Sequence, residues 1–283
     1  MTLYVCGITP YDSAHLGHAF TYTHFDVLVR YLRHEGAEVL HARNITDVDD
    51  DILRVARERG VDFMELAERE VKSFDEQMRA IGNAPPTFAP RATEFVPEMV
   101  PEVLALLTAG HAYERDGTVY FRVASDPDYG RLSGLSRQEM LPLAAERGGY
   151  PEDPNKDDPL DFVLWQRSVP GEPRWPSPWG DGRPGWHIEC STMARKLLGQ
   201  PVDLHGGGSD LVYPHHESEI AQAECAHGNE GPFVRQWIHT GTVHMAGEKM
   251  MQIARQPRVR ARPPRAPPAG TNPGIPPPTP LPR

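Results

Sequence analysis

The chain has 283 residues, 39% of them hydrophobic, enough for one large domain or a domain carrying an insertion. Its net charge of −10 excludes the broadly basic surface of a general nucleic-acid binder, and no apolar run reaches the ~18 residues that would propose a membrane span. Cys6, Cys190 and Cys225 are too few for a disulfide framework and suit free thiols or metal ligands in a reducing compartment.

The N-terminus lacks the basic-then-apolar pattern of a secretory signal, so a cytoplasmic protein is expected. Charge is unevenly spread. Residues 254–283 hold six arginines and no acidic residue, leaving the preceding stretch at −16. Eleven of those thirty residues are proline, with no apolar periodicity, which predicts a disordered tail; a proline-rich ligand for a partner domain is the other reading.

Leu3 to Ile8 reads as a buried strand, followed by a helix to about Glu35 with Phe25, Leu28, Val29 and Leu32 on one face. Val39 to Ala42 predicts a second strand, and helices follow over Asp50–Arg59 and Asp62–Ile81. Strand, helix, strand, helix implies a parallel sheet with crossover helices. A helix from Glu94 to Ala109 then leads into a hairpin over Ala112–Tyr113 and Thr118–Val123, and 149–185 is rich in Pro, Gly and Trp. Helices over Glu189–Leu198 and Pro214–His227 and strands over Val202–His205 and Trp237–His244 close the pattern. The expected fold is α/β, a Rossmann-like parallel sheet with an inserted connective subdomain and a disordered C-terminal tail. Its expected divisions are 1–90, a connective insertion over 91–180, 181–253, and the tail 254–283.

Three stretches concentrate polar chemistry. His15-Leu-Gly-His18 falls where the first strand gives way to its helix, a place where helix N-termini bind phosphates. Alone, the tetrapeptide reads more readily as a helix start with two exposed histidines. Gly185-Trp-His-Ile-Glu-Cys190 places Trp186 beside a glycine, as a pocket wall or a core aromatic. His205-Gly-Gly-Gly-Ser-Asp-Leu211 and Pro214-His-His-Glu-Ser-Glu219 follow. The glycines allow backbone conformations closed to other residues, and Pro214 suits a first helical turn, which would put His215 and Glu219 on one face. Cys6, Cys190, His215 and Glu219 form a credible zinc shell, although spacing alone favours buried thiols and a solvated helix face. Lys249, in the Gly247-Glu-Lys-Met250 loop, is a phosphate-binding lysine or plain surface.

Together with Tyr4-Val-Cys-Gly-Ile-Thr9, Asn44-Ile-Thr-Asp-Val-Asp-Asp50, Asp161-Phe-Val-Leu-Trp165 and the continuation to Gln222, these motifs resemble the cysteinyl-tRNA synthetases. The resemblance runs from Tyr4 to about Met250. It implies a class I synthetase catalytic domain that activates L-cysteine with ATP and transfers it to tRNA(Cys). It further implies one Zn2+ per chain on Cys6, Cys190, His215 and Glu219, and Mg2+ with ATP. Thr46, Trp186, His205 and Asp210 match the cysteine-pocket positions. His15, Gly17, His18 and Lys249 match the ATP-binding ones, His15, His18 and Lys249 being the catalytic set. A monomer is expected.

The cysteine ligase of mycothiol biosynthesis, which acts on a glucosaminyl-inositol, shares this core. Ile8-Thr-Pro-Tyr-Asp12, His15-Leu-Gly-His-Ala19 and Glu146-Arg-Gly-Gly149 lean towards it, whereas Pro90-Arg-Ala-Thr93 and His205 before the glycines lean towards the tRNA synthetase, which is the favoured reading. Two departures stand out. The family's Lys-Met-Ser-Lys-Ser loop reads Lys249-Met-Met-Gln-Ile253 here, with Gln252 in place of the second lysine. The anticodon-binding region expected next is replaced by the Arg/Pro-rich stretch, the pattern a frameshift in a GC-rich gene would give. A truncated paralogue without full catalysis is therefore a further reading.

Overall fold

The structure, a computed structural model, describes residues 1–245 together with 248 and 249; Gln252 and the tail 254–283 lie outside the described residues. Four strands, β1 (Thr2–Ile8), β2 (Leu40–Ile45), β7 (Val202–Gly208) and β8 (Val234–Thr240), form a parallel sheet in the order β2-β1-β7-β8. Between β1 and β2 the chain crosses over through α1 (Leu16–His34). The helices α2 (Asp50–Arg59), α3 (Phe63–Ala80) and α4 (Ala92–Ala109) follow, and α6 (Trp186–Leu198) leads into β7. Residues 88–91 run along the outer edge of β2, where Arg43 N–H donates to the Phe88 carbonyl and Ile45 N–H to that of Pro90.

Side-chain alternation along β1 sorts the two layers. Leu3 and Val5 pack with Phe25 and Val29 of α1 and Phe74 and Met78 of α3. Tyr4 and Cys6 belong to the opposite layer with Val96 and Met99 of α4, Met193 and Ala194 of α6, and Ile220 and Ala221 of α7 (Glu217–His227). Both faces of the sheet are thus covered, as a parallel sheet requires. This parity is why Cys6 points at α6 and α7 rather than at α1.

The region between α4 and α6 carries an antiparallel sheet in the order β3-β4-β5-β6, from β3 (Ala112–Arg115), β4 (Thr118–Phe121), β5 (Phe162–Arg167) and β6 (Gly182–Pro184). Its first hairpin turns on Asp116-Gly117, both with positive φ (52° and 84°), the two-residue geometry that Asp-Gly favours. The strands β5 and β6 escape a sequence reading because the Pro/Gly-rich stretch between them masks any alternation. The helix α5 (Arg137–Glu146) is likewise legible only in its capping box, Ser136 with Glu139.

The segment after β7 departs from expectation. The glycines Gly206, Gly207 and Gly208 do not take left-handed conformations but continue β7 as extended strand. What they provide is close approach: a Cβ on Gly206 would fall 2.2 Å from the Ile238 carbonyl of β8 and 2.6 Å from the Phe25 ring. Pro214 does not open a regular helix either. Tyr213, held extended (φ −132°, ψ 135°) as residues before proline are, breaks the turn over Val212–His216, and α7 begins at Glu217. The Arg147 guanidinium secures this irregular turn by donating to the carbonyls of Asp210 and Tyr213.

Candidate active site

In strand order β2-β1-β7-β8 the connections leave β1 in opposite directions, so the crevice at the carboxyl ends of β1 and β7 is the topological switch point. Two groups of residues converge there. Cys6 on β1, Cys190 on α6, His215 in the irregular turn and Glu219 on α7 bring one donor atom each within 4.8 Å of one another. Glu219 Oε1 lies 3.5 Å from Cys6 Sγ and 3.1 Å from His215 Nε2. All four are buried. The i, i+4 relation of His215 to Glu219 survives the irregular turn because helical backbone resumes at His216.

Burial dictates the protonation of this cluster. Burial first, and the adjacent Cys190 thiol second, raise Cys6 well above the usual thiol range. Glu219 is raised well above an ordinary carboxyl by burial and then by Cys190, and burial lowers His215 far below the usual imidazole. Without a cation Cys6, Glu219 and His215 are therefore neutral. Yet His215 Nε2 and Glu219 Oε2 make no aligned hydrogen bond although wholly buried, an arrangement that costs stability unless something else satisfies them. Two thiols, an imidazole and a carboxylate fit a zinc ion. The His215 Nδ1 is backed at 2.9 Å by His187 Nδ1, the kind of outer partner that orients a ligating imidazole. Trp186 stacks on the His215 ring, with centroids 4.3 Å apart.

The second group surrounds a cleft of about 240 Å³ that opens beside Cys6. Its lining includes His15, Gly17 and His18 at the start of α1, Asp210 and Leu211 after β7, and Gly241 and Thr242 after β8. His15 caps α1: its Nδ1 accepts from Gly17 N–H at 3.1 Å, and His18 Nδ1 accepts from His15 N–H at 3.4 Å. The two rings stack at 3.9 Å. With both Nδ1 atoms accepting, the neutral rings carry their protons on Nε2. Burial, then the neighbouring His15, pushes His18 down to about 3, so it stays a neutral donor at physiological pH. Neutral N–H donors and a helix N-terminus in one cleft are groups whose chemistry suits an anion such as phosphate.

Thr46, Trp186 and His205 do not line this cleft. Buried Thr46 receives the Asn44 Nδ2 hydrogen bond and touches Glu189, whose carboxyl burial raises. His205, fully buried on β7, contacts Cys6 Sγ at 3.4 Å. Asp210 lies on the cleft side with His15 and His18. Lys249 lies in β10 (Glu248–Lys249), paired opposite His244 of β9 (His244–Met245). Sequence reasoning missed His216, His187 and His239. His216 Nε2 lies 3.3 Å from Cys6 Sγ, and its Nδ1 is 2.8 Å from His239 Nε2. The doubled His215-His216 was a visible signal for the first of these; nothing in the sequence linked His239 to it.

This architecture is that of the class I aminoacyl-tRNA synthetases. Methionyl-tRNA synthetase from Mycobacterium tuberculosis, solved in complex with methionyl-adenylate, superposes with a TM-score of 0.64 over 88% of this chain and 58% of its own, at 18% identity. Residues 1–255 match the family model described as tRNA synthetases class I (C) catalytic domain, and the chain belongs to that family. A cysteine–tRNA ligase from Halorhodospira halophila is 52% identical over 251 residues, covering 88% of this chain and 53% of that protein. One from Thermococcus onnurineus is 51% identical over 248 residues, covering 88% and 51%. An L-cysteine:1D-myo-inositol 2-amino-2-deoxy-alpha-D-glucopyranoside ligase from Frankia alni is 52% identical over 248 residues, covering 88% and 60%. The chain thus spans about half the length of these cysteine–tRNA ligases. Among the described residues no helix is long and apolar enough to cross a membrane.

Proposed function

We propose that this chain activates L-cysteine with ATP, forming cysteinyl-adenylate, and passes the cysteinyl group to tRNA(Cys). One observation carries the reading: the buried Cys6–Cys190–His215–Glu219 cluster adjoins the His15/His18 cleft, with Cys6 belonging to both. On this reading 1–90 and 181–253 are the two halves of the catalytic domain and 91–180 the connective insertion. The protein acts as a cytoplasmic monomer.

Cys6, Cys190, His215 and Glu219 would hold one Zn2+, whose contribution is to bind the substrate thiolate directly. A hydroxyl is a far poorer ligand for such a centre, so serine is rejected where an apolar pocket would discriminate weakly. Trp186, Thr46, His205 and Asp210 shape and polarise the amino-acid site. His15 and His18 donate Nε2–H to phosphate oxygens, and the α1 N-terminus adds its dipole. Positioned so, the cysteine carboxylate oxygen bonds to the α-phosphorus while the bond to the bridging oxygen breaks and pyrophosphate leaves; Mg2+ carried by ATP would offset charge on the phosphates. Catalysis is positioning and charge stabilisation, to which Lys249 contributes.

Cysteine-dependent exchange of labelled pyrophosphate into ATP tests the reading: exchange is expected with cysteine and not with serine. Its absence from a zinc-loaded chain would indicate a paralogue that binds without activating. A second reading, transfer to an amino-sugar, is favoured by the Frankia relative and by Arg147 of the Glu146-Arg-Gly-Gly149 motif, which holds the turn at Asp210 and Tyr213. Offering each acceptor to the preformed adenylate separates the two.

Two substitutions probe the halves of the site. Cys190→Ser should weaken zinc and cysteine binding together, each by more than the roughly 10–100-fold typical of outer-shell changes. Zinc affinity unchanged on chelator competition refutes the ligand assignment. In Gly17→Ala the new Cβ meets only the His15 ring, at 2.8 and 2.9 Å, and displaces it. The KM for ATP should rise at least about tenfold, a lost hydrogen bond to a charged group being worth roughly 1.5–3 kcal/mol, with little change in melting temperature. An unchanged KM removes His15 from the ATP site.

A further inference from the structure

We infer that the site contains a second, overlapping position for a zinc-like divalent cation, formed by Cys6, His205, His216 and Glu219. These four residues also bring one donor atom each within 4.8 Å of one another, and all are buried. They share Cys6 and Glu219 with the zinc ligands proposed above and exchange a thiol and an imidazole, Cys190 and His215, for two imidazoles.

Three separations within this set are those of a tetrahedral shell. Metal–ligand bonds of about 2.0–2.3 Å put neighbouring donors roughly 3.3–3.8 Å apart in a tetrahedron. Cys6 Sγ lies 3.4 Å from His205 Nε2 and 3.3 Å from His216 Nε2, and His205 Nε2 lies 3.7 Å from Glu219 Oε2. The Glu219 carboxylate is divided between the two sets: Oε1 faces His215 and Oε2 faces His205. Oε2 is buried without a hydrogen-bond partner.

The outer partners repeat as well. His215 Nδ1 is backed by His187 at 2.9 Å, and His216 Nδ1 by His239 Nε2 at 2.8 Å. Consecutive residues thus send one ring into each donor set, and each ring is oriented by a further imidazole. That backing fixes which nitrogen is free to ligate, as in established histidine–metal sites. One sulfur, two nitrogens and an oxygen suit Zn2+ or Co2+ and exclude Mg2+ and Ca2+, which take oxygen ligands. The competing account is a metal-free, hydrogen-bonded knot of neutral imidazoles around Cys6.

Cobalt distinguishes them, because thiolate-to-Co2+ charge-transfer intensity counts sulfur ligands. The full chain, stripped of metal and titrated with Co2+, should show two-thiolate intensity if the first set holds the ion. Cys190→Ser should still take one Co2+, at about half that intensity, and adding His216→Ala should weaken this residual binding at least about tenfold. His215→Ala, which keeps both thiols, provides a second route: one-thiolate intensity, again dependent on His216. Circular dichroism verifies folding. Residual binding indifferent to His216, or no Co2+ uptake by either folded variant, overturns the second position. Wild-type intensity from a single thiolate, sensitive to His216, would instead sink the first ligand set and leave the second standing. No uptake by the wild type removes both.

Discussion

Zinc affinity is expected to rise with pH by at least about one decade per unit, because binding must expel protons that burial holds on the ligands. Cys6 is raised well above its ordinary range by burial first, with Cys190 and Glu219 adding to it, so its thiol is protonated throughout the neutral range. Glu219 is raised by the same cause, then by Cys190. His215 is lowered by burial and already neutral, so it has no proton to lose. Zinc takes thiolates from Cys6 and Cys190 and a carboxylate from Glu219. The sign follows: a ligand whose metal-free pKa is raised opposes binding at low pH, and the penalty shrinks as pH climbs towards that pKa. Each proton released adds one to the slope of log K against pH. Cys6 supplies the first decade, and Glu219 the second wherever it is still protonated. Competition with a chelator between about pH 6 and 8, with calorimetry in buffers of different ionisation enthalpy, measures the slope and the protons separately. A flat profile with no buffer dependence would mean that the ligands are ionised before metal arrives.

Much of the site was legible because its residue types are chemically unusual. Thiols, imidazoles and a carboxylate in short motifs are rarely accidental, and Cys6, Cys190, His215 and Glu219 do come together in space. Parity along β1 also follows from the sequence: once Leu3 and Val5 face α1, Cys6 must face the other layer. What sequence could not supply was long-range geometry. The contact of His216 with Cys6 depends on the irregular turn that Tyr213, Pro214 and Arg147 impose, and no local propensity encodes Arg147 reaching across to that turn. The pairing of His216 with His239 depends on β8 lying beside β7. The glycine run misled for a related reason. Three glycines suggest conformational freedom, but here they answer a steric demand set by Phe25, Leu211 and the β8 backbone, all distant in sequence or unforeseeable in direction.

Gly7→Ala is expected to destabilise the chain by about 3 kcal/mol, the upper end of the overpacking range, lowering the melting temperature by roughly 6–12 °C for a domain of this size. Gly7 follows Cys6 where the β1–β2 register shifts, and an added Cβ would fall 1.5 Å from the Asn44 carbonyl oxygen. That neighbour is backbone and cannot rotate away. It is also fixed from both sides: Gly7 N–H donates to Asn44 Oδ1 at 2.7 Å, and Thr46 N–H donates to the Ile8 carbonyl at 2.9 Å. The strands must separate, and the separation occurs at the carboxyl end of β1, one residue from Cys6. Zinc retention should therefore fall along with stability, whereas Gly17→Ala, whose obstacle is one rotatable ring, should leave the melting temperature nearly intact. Thermal unfolding of the two variants side by side decides the matter. Equal melting temperatures would mean that β2 yields more readily than its hydrogen bonds imply, and that the strand end is not the rigid support on which Cys6 is set.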